Sequence, residues 1–374
     1  MSRSHRKHPF PLAVVELPVL RGAIALALGA WASTSCAPGG FRNEETISSV
    51  RILASSADPP YAKPGDSVTM DVLAVDGRAS RPSPMQVYWL AAPDGTPFVC
   101  ENPPDDAYYA CFQKLGSSPS GEAGAGVDGG TSGHPSGGSS PFPPPGVALP
   151  IAPGTTTRFK MPLDAVTSHA RVPGTPVPYG TAILFNIACA GHLEFLPYDP
   201  NDINPVKVPI GCFDAAHNRL GPDDYVFGFT RVYAYEAVTN ANPVIDHVDV
   251  DGQRADLVQG FPTAVCTTSD SSKCPAVHIG PVVPPSSWET NPEAHDANGN
   301  ALHEEIWADF YATAGQFNDS ARLLYDARTG SLGGPSQTDN QFDPPQNAGD
   351  GSIWIVVHDS RGGAAWVRVP FHAK

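Results

Sequence analysis

Basic residues are scarce in this chain. Its 374 residues include 23 Lys and Arg against 38 Asp and Glu, a formal net charge of −15. A surface of that sign repels a phosphate backbone, which argues against nucleic acid as a partner. Long apolar runs are missing as well. The most apolar stretch, AIALALGAWA at residues 23–32, is too short for a bilayer-spanning helix, which needs roughly 20 apolar residues. Nothing later in the chain is long enough either. There is no GxSxG elbow, no GxxxxGK[ST] loop and no GxGxxG run after a predicted strand, so common signatures of serine hydrolases, P-loop enzymes and dinucleotide binders are absent. No pair of cysteines has the CxxC spacing of redox and zinc motifs. With 41 Pro and 36 Gly, long helices are disfavoured and frequent turns are expected.

What the chain does have begins at its start. Arg3, Arg6, Lys7 and Arg21 precede the apolar run, and small residues follow it. A basic head, a short apolar segment and a small-residue cleavage point describe a secretory signal peptide, here residues 1–35. Two cleavage points compete. Ala30-Trp31-Ala32 satisfies the small-x-small rule and would release a soluble protein. Ser33-Thr34-Ser35-Cys36 resembles the lipobox of bacterial lipoproteins, with Ser33 where Leu is usual. That resemblance implies a diacylglycerol on the Cys36 thiol, a tether over residues 36–46, and anchoring in the cell envelope. The expected place is the outer membrane, facing the periplasm or the exterior.

Seven cysteines are present, and setting Cys36 aside leaves Cys100, Cys111, Cys189, Cys212, Cys266 and Cys274. They fall as three close pairs, so local disulfides in an oxidising compartment are expected. Fifteen pairings are formally open. The sequential one, Cys100–Cys111, Cys189–Cys212 and Cys266–Cys274, is the most economical.

From residue 47 onward the apolar pattern has a period of two. Val50, Ile52 and Ala54 share a face within 49–55. After the Lys63-Pro64-Gly65-Asp66 turn, Val68, Met70, Val72 and Ala74 alternate with polar residues as far as Asp76-Gly77. Residues 85–90 form a third strand with Trp89 as the candidate core aromatic. Further strands are expected at 155–161, 181–189, 225–235, 244–250, 305–312 and 321–325. A closing hairpin joins 352–358 to 365–371 through Asp359-Ser360-Arg361-Gly362-Gly363. Ile306, Ala308, Phe310 and Ala312 should face a core, as should Ile353, Ile355, Val357, Val367, Val369 and Phe371. Residues 116–154 hold 11 Gly, 8 Pro and 7 Ser in 39 positions. Such a segment buries too little to offset its ordering entropy and reads as a disordered insertion. Residues 190–224 and 260–300 read as long loops, each stapled by a cysteine pair. Asn240-Ala241-Asn242-Pro243 marks a boundary. The expectation is an all-β chain of two antiparallel β-sandwich domains, 47–239 and 240–374, with long loop insertions.

The stretch KPGDSVTMDVLAVDG at residues 63–77 resembles the A–B region of bacterial immunoglobulin-like domains, and the closing hairpin resembles their F–G hairpin. The resemblance implies tandem immunoglobulin-like sandwiches with a binding, adhesion or structural role. The cross-sheet Cys…Trp…Cys of antibody domains is absent.

Chemistry is sparse. His303-Glu304-Glu305-Ile306-Trp307 begins like HExxH, but Trp307 stands at the second His and the stretch enters a predicted strand. No catalytic residue and no cofactor is therefore expected. Asp296, Asn298 and Asn300 place oxygens at alternate positions, with His303 close by, and these are the candidate metal ligands. Ala301 and Trp307 occupy the positions where an EF-hand needs Gly and Glu, so a polar turn is the simpler reading. Trp307, Trp354 and Trp366 lie on the strand faces opposite the predicted core. With Tyr108, Tyr109 and Trp288 they either line a sugar-binding face or are covered by loops. The function expected is that of a non-catalytic envelope lipoprotein. It would be held to a membrane by its N-terminal lipid, with an envelope protein or polysaccharide as partner. The alternative is a metal- or calcium-assisted hydrolase, or a carbohydrate-binding accessory protein, acting on envelope or extracellular polymers.

Overall fold

Alternating apolar residues make strands, and strands make nearly all of this structure. The computed structural model describes residues 45–91, 96–101, 151–169, 177–196, 210–268, 273–333 and 338–374. The first half runs β1 (Val50–Asp58), β2 (Tyr61–Ala62), β3 (Ser67–Asp76), β4 (Gln86–Leu90), β5 (Val99–Glu101), β6 (Ile151–Pro153), β7 (Thr156–Lys160), the single-turn α1 (Ala165–Ser168), β8 (Tyr179–Cys189), β9 (His192–Phe195), β10 (Ile210–Phe213) and β11 (Tyr225–Tyr235). One sheet has the order β1-β3-β7. The other has β2-β11-β8-β4-β6, with β5 also on β8. The two pack face to face over Val68, Met70 and Phe159 from the first sheet and Trp89, Leu184 and Val232 from the second. Trp89 is fully buried, as its place in the pattern predicts.

The second sheet is buried on its back as well. Ile183, Phe185, Ile187 and Cys189 of β8 point away from the first core and are covered by Leu193, Ile210 and Cys212 of the β9–β10 hairpin. Residues 190–224, expected as a loop, therefore contain a structural lid. An apolar row of that size is unfavourable in water, at about 25 cal/mol for each Å² left exposed. The insertion expected at 116–154 also ends early. Ile151–Pro153 pairs with Leu90–Tyr88, because β4 would otherwise leave one backbone edge unpaired. The remainder of that insertion lies outside the described residues.

The second half runs β12 (His247–Val250), β13 (Gln253–Arg254), β14 (Phe261–Thr263), β15 (Val277–Val282), β16 (Thr290–His295), β17 (Ala301–His303), β18 (Ile306–Ala312), β19 (Gln316–Phe317), β20 (Ala321–Asp326), β21 (Ser331–Leu332), β22 (Asn340–Asp343), β23 (Gly349–Asp359) and β24 (Ala364–Ala373). Its sheets are β13-β12-β15-β22-β19 and β14-β24-β23-β18-β20-β21, with β16–β17 a separate hairpin. Ile306, Ala308, Phe310 and Ala312 meet Ile353, Ile355, Val357, Val369 and Phe371 in the core, facing Ile279 and Phe342 of the opposite sheet. Residues 260–300 are not an excursion, since β15 sits at the middle of its sheet. Gly280 and Pro281 mask that strand in the sequence. A Cβ at Gly280 would lie 2.3 Å from the Asp339 Oδ1, so a larger residue there would displace that side chain.

Cys189–Cys212 and Cys266–Cys274 are disulfides. Cys100 is disulfide-bonded too, and its expected partner Cys111 lies outside the described residues. Bridges of this kind persist in oxidising compartments, so the protein is extracytoplasmic. Among the described residues no helix is long and apolar enough to cross a membrane.

Two cores do not make two separate bodies. Residues 44–374 form one compact unit. The chain is already fixed at Glu45 and Thr46, where the sequence suggests a tether. Thr46 bridges Ala312 in parallel, the Ile47 N–H donates to the Ala312 carbonyl at 2.8 Å, and the Ala312 N–H donates to the Glu45 carbonyl at 2.8 Å. Ile47, Leu53 and Val75 then pack on Trp354. A sugar-binding role for Trp354 is thereby excluded, because the first half of the chain covers its ring.

Candidate functional site

The candidate metal ligands lie on the β16–β17 hairpin. Its turn is closed by Asp296, whose Oδ1 accepts the N–H groups of Asn298 and Asn300 at 2.8 Å each. Its Oδ2 accepts the Asn300 amide at 2.9 Å. Gly299, at φ +84°, lets the chain reverse. The Asn300 side chain and the backbone donors hold the Asp296 carboxyl below its usual range. Asp296 and Asn300 are thus brought together as turn partners. His303 is directed elsewhere, its Nδ1 donating to the Trp288 carbonyl at 3.0 Å. The aromatics have partners within the chain as well. Trp288 stacks on Tyr325 at 4.7 Å, and Trp307 stacks on His358 at 5.2 Å. Tyr108 and Tyr109 lie outside the described residues.

Glu304, the acid of the HExxH-like stretch, is fully buried. The Arg361 Nη1 donates to its Oε1 at 2.5 Å, the Nη2 donates to the Thr239 carbonyl, and the guanidinium lies 4.8 Å from the Tyr61 ring centre. Asp359 orders the turn that carries this arginine. Its Oδ1 accepts the N–H groups of Arg361 and Gly363 at 2.7 and 2.8 Å, and its Oδ2 accepts the Asn240 amide at 3.1 Å. Asn242 completes the clamp by donating to the Ala57 carbonyl at 2.7 Å and accepting the Ala364 N–H at 2.9 Å. The boundary segment 240–243 is therefore held between the two halves. Burial pushes the Glu304 carboxyl up to about 7, with Asp359 adding to the rise and Arg361 opposing it.

An open groove lies at the far edge of the first sandwich. β7 is the edge strand of its sheet. Together with Pro97, Val99 and Glu101 it bounds a space of about 670 Å³, lined also by Arg158, Lys160 and Leu163. Leu163 is 82 % exposed, with its Cδ2 lying over Gly65. No sequence pattern marks this groove, because its walls come from three separated segments.

No protein-family model and no curated protein sequence matches the chain. Several solved structures are distantly similar to it, among them these three. The D00-D0 domain of intimin aligns at 10% identity over 85% of this chain and 99% of its own, with a TM-score of 0.19. The native conformation of E. coli alpha-2-macroglobulin aligns at 10% over 87% of this chain and 17% of its own, TM-score 0.20. Dimeric latent PorU from Porphyromonas gingivalis aligns at 10% over 88% of this chain and 24% of its own, TM-score 0.19. Likenesses this distant have no bearing on function.

Proposed function

We propose that this chain is an exported, lipid-anchored envelope protein that binds an extended partner without catalysis. The observation that carries the reading is the groove along β7. It has an apolar wall of Pro97, Val99 and Leu163, and it carries two cations, Arg158 and Lys160, against one acid, Glu101, on a chain whose net charge is −15. An exposed apolar surface beside convergent charges is the usual composition of a recognition site. A local positive pair on an acidic protein favours an anionic partner such as an acidic polysaccharide or an acidic protein segment. The lipid anchor rests on the basic head, the short apolar run and Cys36. The non-catalytic reading is supported by Glu304, which is sealed beneath Arg361 and out of reach of any substrate.

The test is co-sedimentation of the purified chain with isolated envelope and with a panel of acidic and neutral polysaccharides. Binding to an acidic member is expected, weakened about tenfold or more by Leu163→Asp combined with Lys160→Glu. Equal binding by parent and variant would discard the groove as the site.

A further inference from the structure

The β9–β10 hairpin carries polar chemistry on the side away from the core. His192 and Glu194 are two residues apart on β9 and project from one face, while Leu193 between them is buried. After β10 the chain turns through residues 214–218. Asp214 holds this turn, its Oδ1 accepting the N–H groups of Ala216 and Asn218 at 2.8 Å each and its Oδ2 the Asn218 amide at 3.1 Å. Within it His217 takes φ 61°, a left-handed conformation uncommon for a residue with a Cβ. Its N–H donates to the Asp214 carbonyl at 3.0 Å.

The outcome is convergence. His192 Nε2 and His217 Nδ1 each lie 2.6 Å from Glu194 Oε1. One donor atom from each residue lies within 4.8 Å of the other two, and this is the one such group of three among the described residues. The rings stand 5.3 Å apart and nearly perpendicular, at 85°, so their nitrogens approach the carboxylate from different directions.

Two imidazoles and a carboxylate are the donor set of zinc and its first-row neighbours, and a three-ligand site leaves one position for water or a partner's group. Ligands about 2.1 Å from a tetrahedral metal are about 3.4 Å from one another, so each ring has to withdraw from the carboxylate by roughly 1 Å. The side chains of His192 and His217 are 42% and 74% exposed, which leaves room for that movement. In the metal-free arrangement each ring donates an N–H to Glu194. In the metal-bound one the same nitrogens present lone pairs, and each neutral ring keeps its proton on its other nitrogen.

We propose that His192, Glu194 and His217 form a binding site for a divalent first-row transition metal, with zinc as the working probe. The metal would fasten the 214–218 turn onto β9. The hairpin would then be secured at two places, by Cys189–Cys212 beside the sheet and by the ion at its outer face. This site is independent of the groove and of the lipid anchor.

The test is a titration of the full chain, stripped with a chelator, against a zinc-sensing dye. The expected result is one zinc per chain held in competition with the dye, together with a rise in the thermal midpoint. His217→Asn keeps a residue that tolerates left-handed backbone. It and Glu194→Gln should each weaken zinc binding tenfold or more and abolish the rise, leaving the zinc-free midpoint near that of the parent. Asp296→Ala with His303→Ala should change none of this. The proposal is overturned if no zinc is retained against the dye, if both site variants bind like the parent, or if binding disappears only in the Asp296/His303 variant. Should a site variant unfold, cobalt in the parent chain decides. A visible spectrum of tetrahedral type supports the site, and one identical to the aqueous ion rejects it.

Discussion

Arg361 and Glu304 meet at 2.5 Å with side chains 3% and 0% exposed, and they join parts of the chain that the sequence treats as a turn and the start of a strand. Arg361 also lies 3.9 Å from the Glu289 carboxylate. Glu304 precedes β18 in the second core, while Arg361 reaches past it to the Thr239 carbonyl and the ring of Tyr61 in the first half. Through Arg361 the pair is one of the contacts that join the two sandwiches.

Breaking one side of this pair should be severe. Arg361→Ala leaves a buried carboxylate uncompensated, which costs on the order of 3–5 kcal/mol. Arg361→Met combined with Glu304→Leu removes both charges and should recover much of that loss. Urea unfolding of the three proteins checks this, and a double variant no better than Arg361→Ala would show that the charges themselves hold the junction.

The elevated Glu304 carboxyl gives stability a direction in pH. Its folded value of about 7 lies above the ordinary 4.5, so the folded state holds that proton more tightly than the unfolded chain. The contribution is complete below about pH 4.5 and is lost as pH rises through 7, a fall on the order of 3 kcal/mol. His372, raised by Asp350, acts in the same sense, so the comparison with Glu304→Gln isolates the glutamate. Midpoints measured from pH 5 to 8 should fall less steeply in the variant.

Ile47 tests the other attachment. It is 1 % exposed against Trp354, Leu53 and Val75. Ile47→Ala should cost about 2–5 kcal/mol, the range for a truncated core residue. Hydrogen exchange should show faster opening at Ile47 and Ala312 with the cores of both sandwiches still protected. An unfolding midpoint unchanged from the parent would mean that this contact is incidental.

Cys36→Ala addresses the anchor. The variant should leave the membrane fraction for the soluble one, since the lipid is the membrane affinity the sequence offers. Retention on membranes at high salt would refute the lipobox reading.

Much of the fold was legible wherever alternation was long. The faces of β3, β18 and the β23–β24 hairpin follow from period two alone, because a one-residue slip would turn the apolar side chains of the core face the other way. Short or interrupted strands were not legible. β22 has four residues with Phe342 as its buried anchor, and β15 carries Gly280 and Pro281, so tertiary contacts rather than local pattern define them. The back-face lid was hidden for a different reason. β8 is apolar on both faces, a sign that something must cover it, but the cover is a hairpin whose own pattern is weak. The sites were harder still. Asp359 and Arg361 look like ordinary turn residues until Glu304 is brought beneath them. His192 and Glu194 show their shared face in sequence, but His217 joins them only through the 214–218 turn. The residues that did form a visible polar motif, Asp296 to Asn300, use their groups on one another.

The bond between Ile47 and Ala312 has a mechanical consequence. The chain is fastened to the second sandwich at residues 45–47, leaves to build the first, and is fastened again at Asn240 and Asn242 beside the 359–364 turn. The first sandwich therefore hangs as a closed loop between two clamps on the second. Tension drawn between the N-terminal side and the second sandwich reaches β18 before it reaches β1, and so bypasses the β7 groove until a clamp gives way.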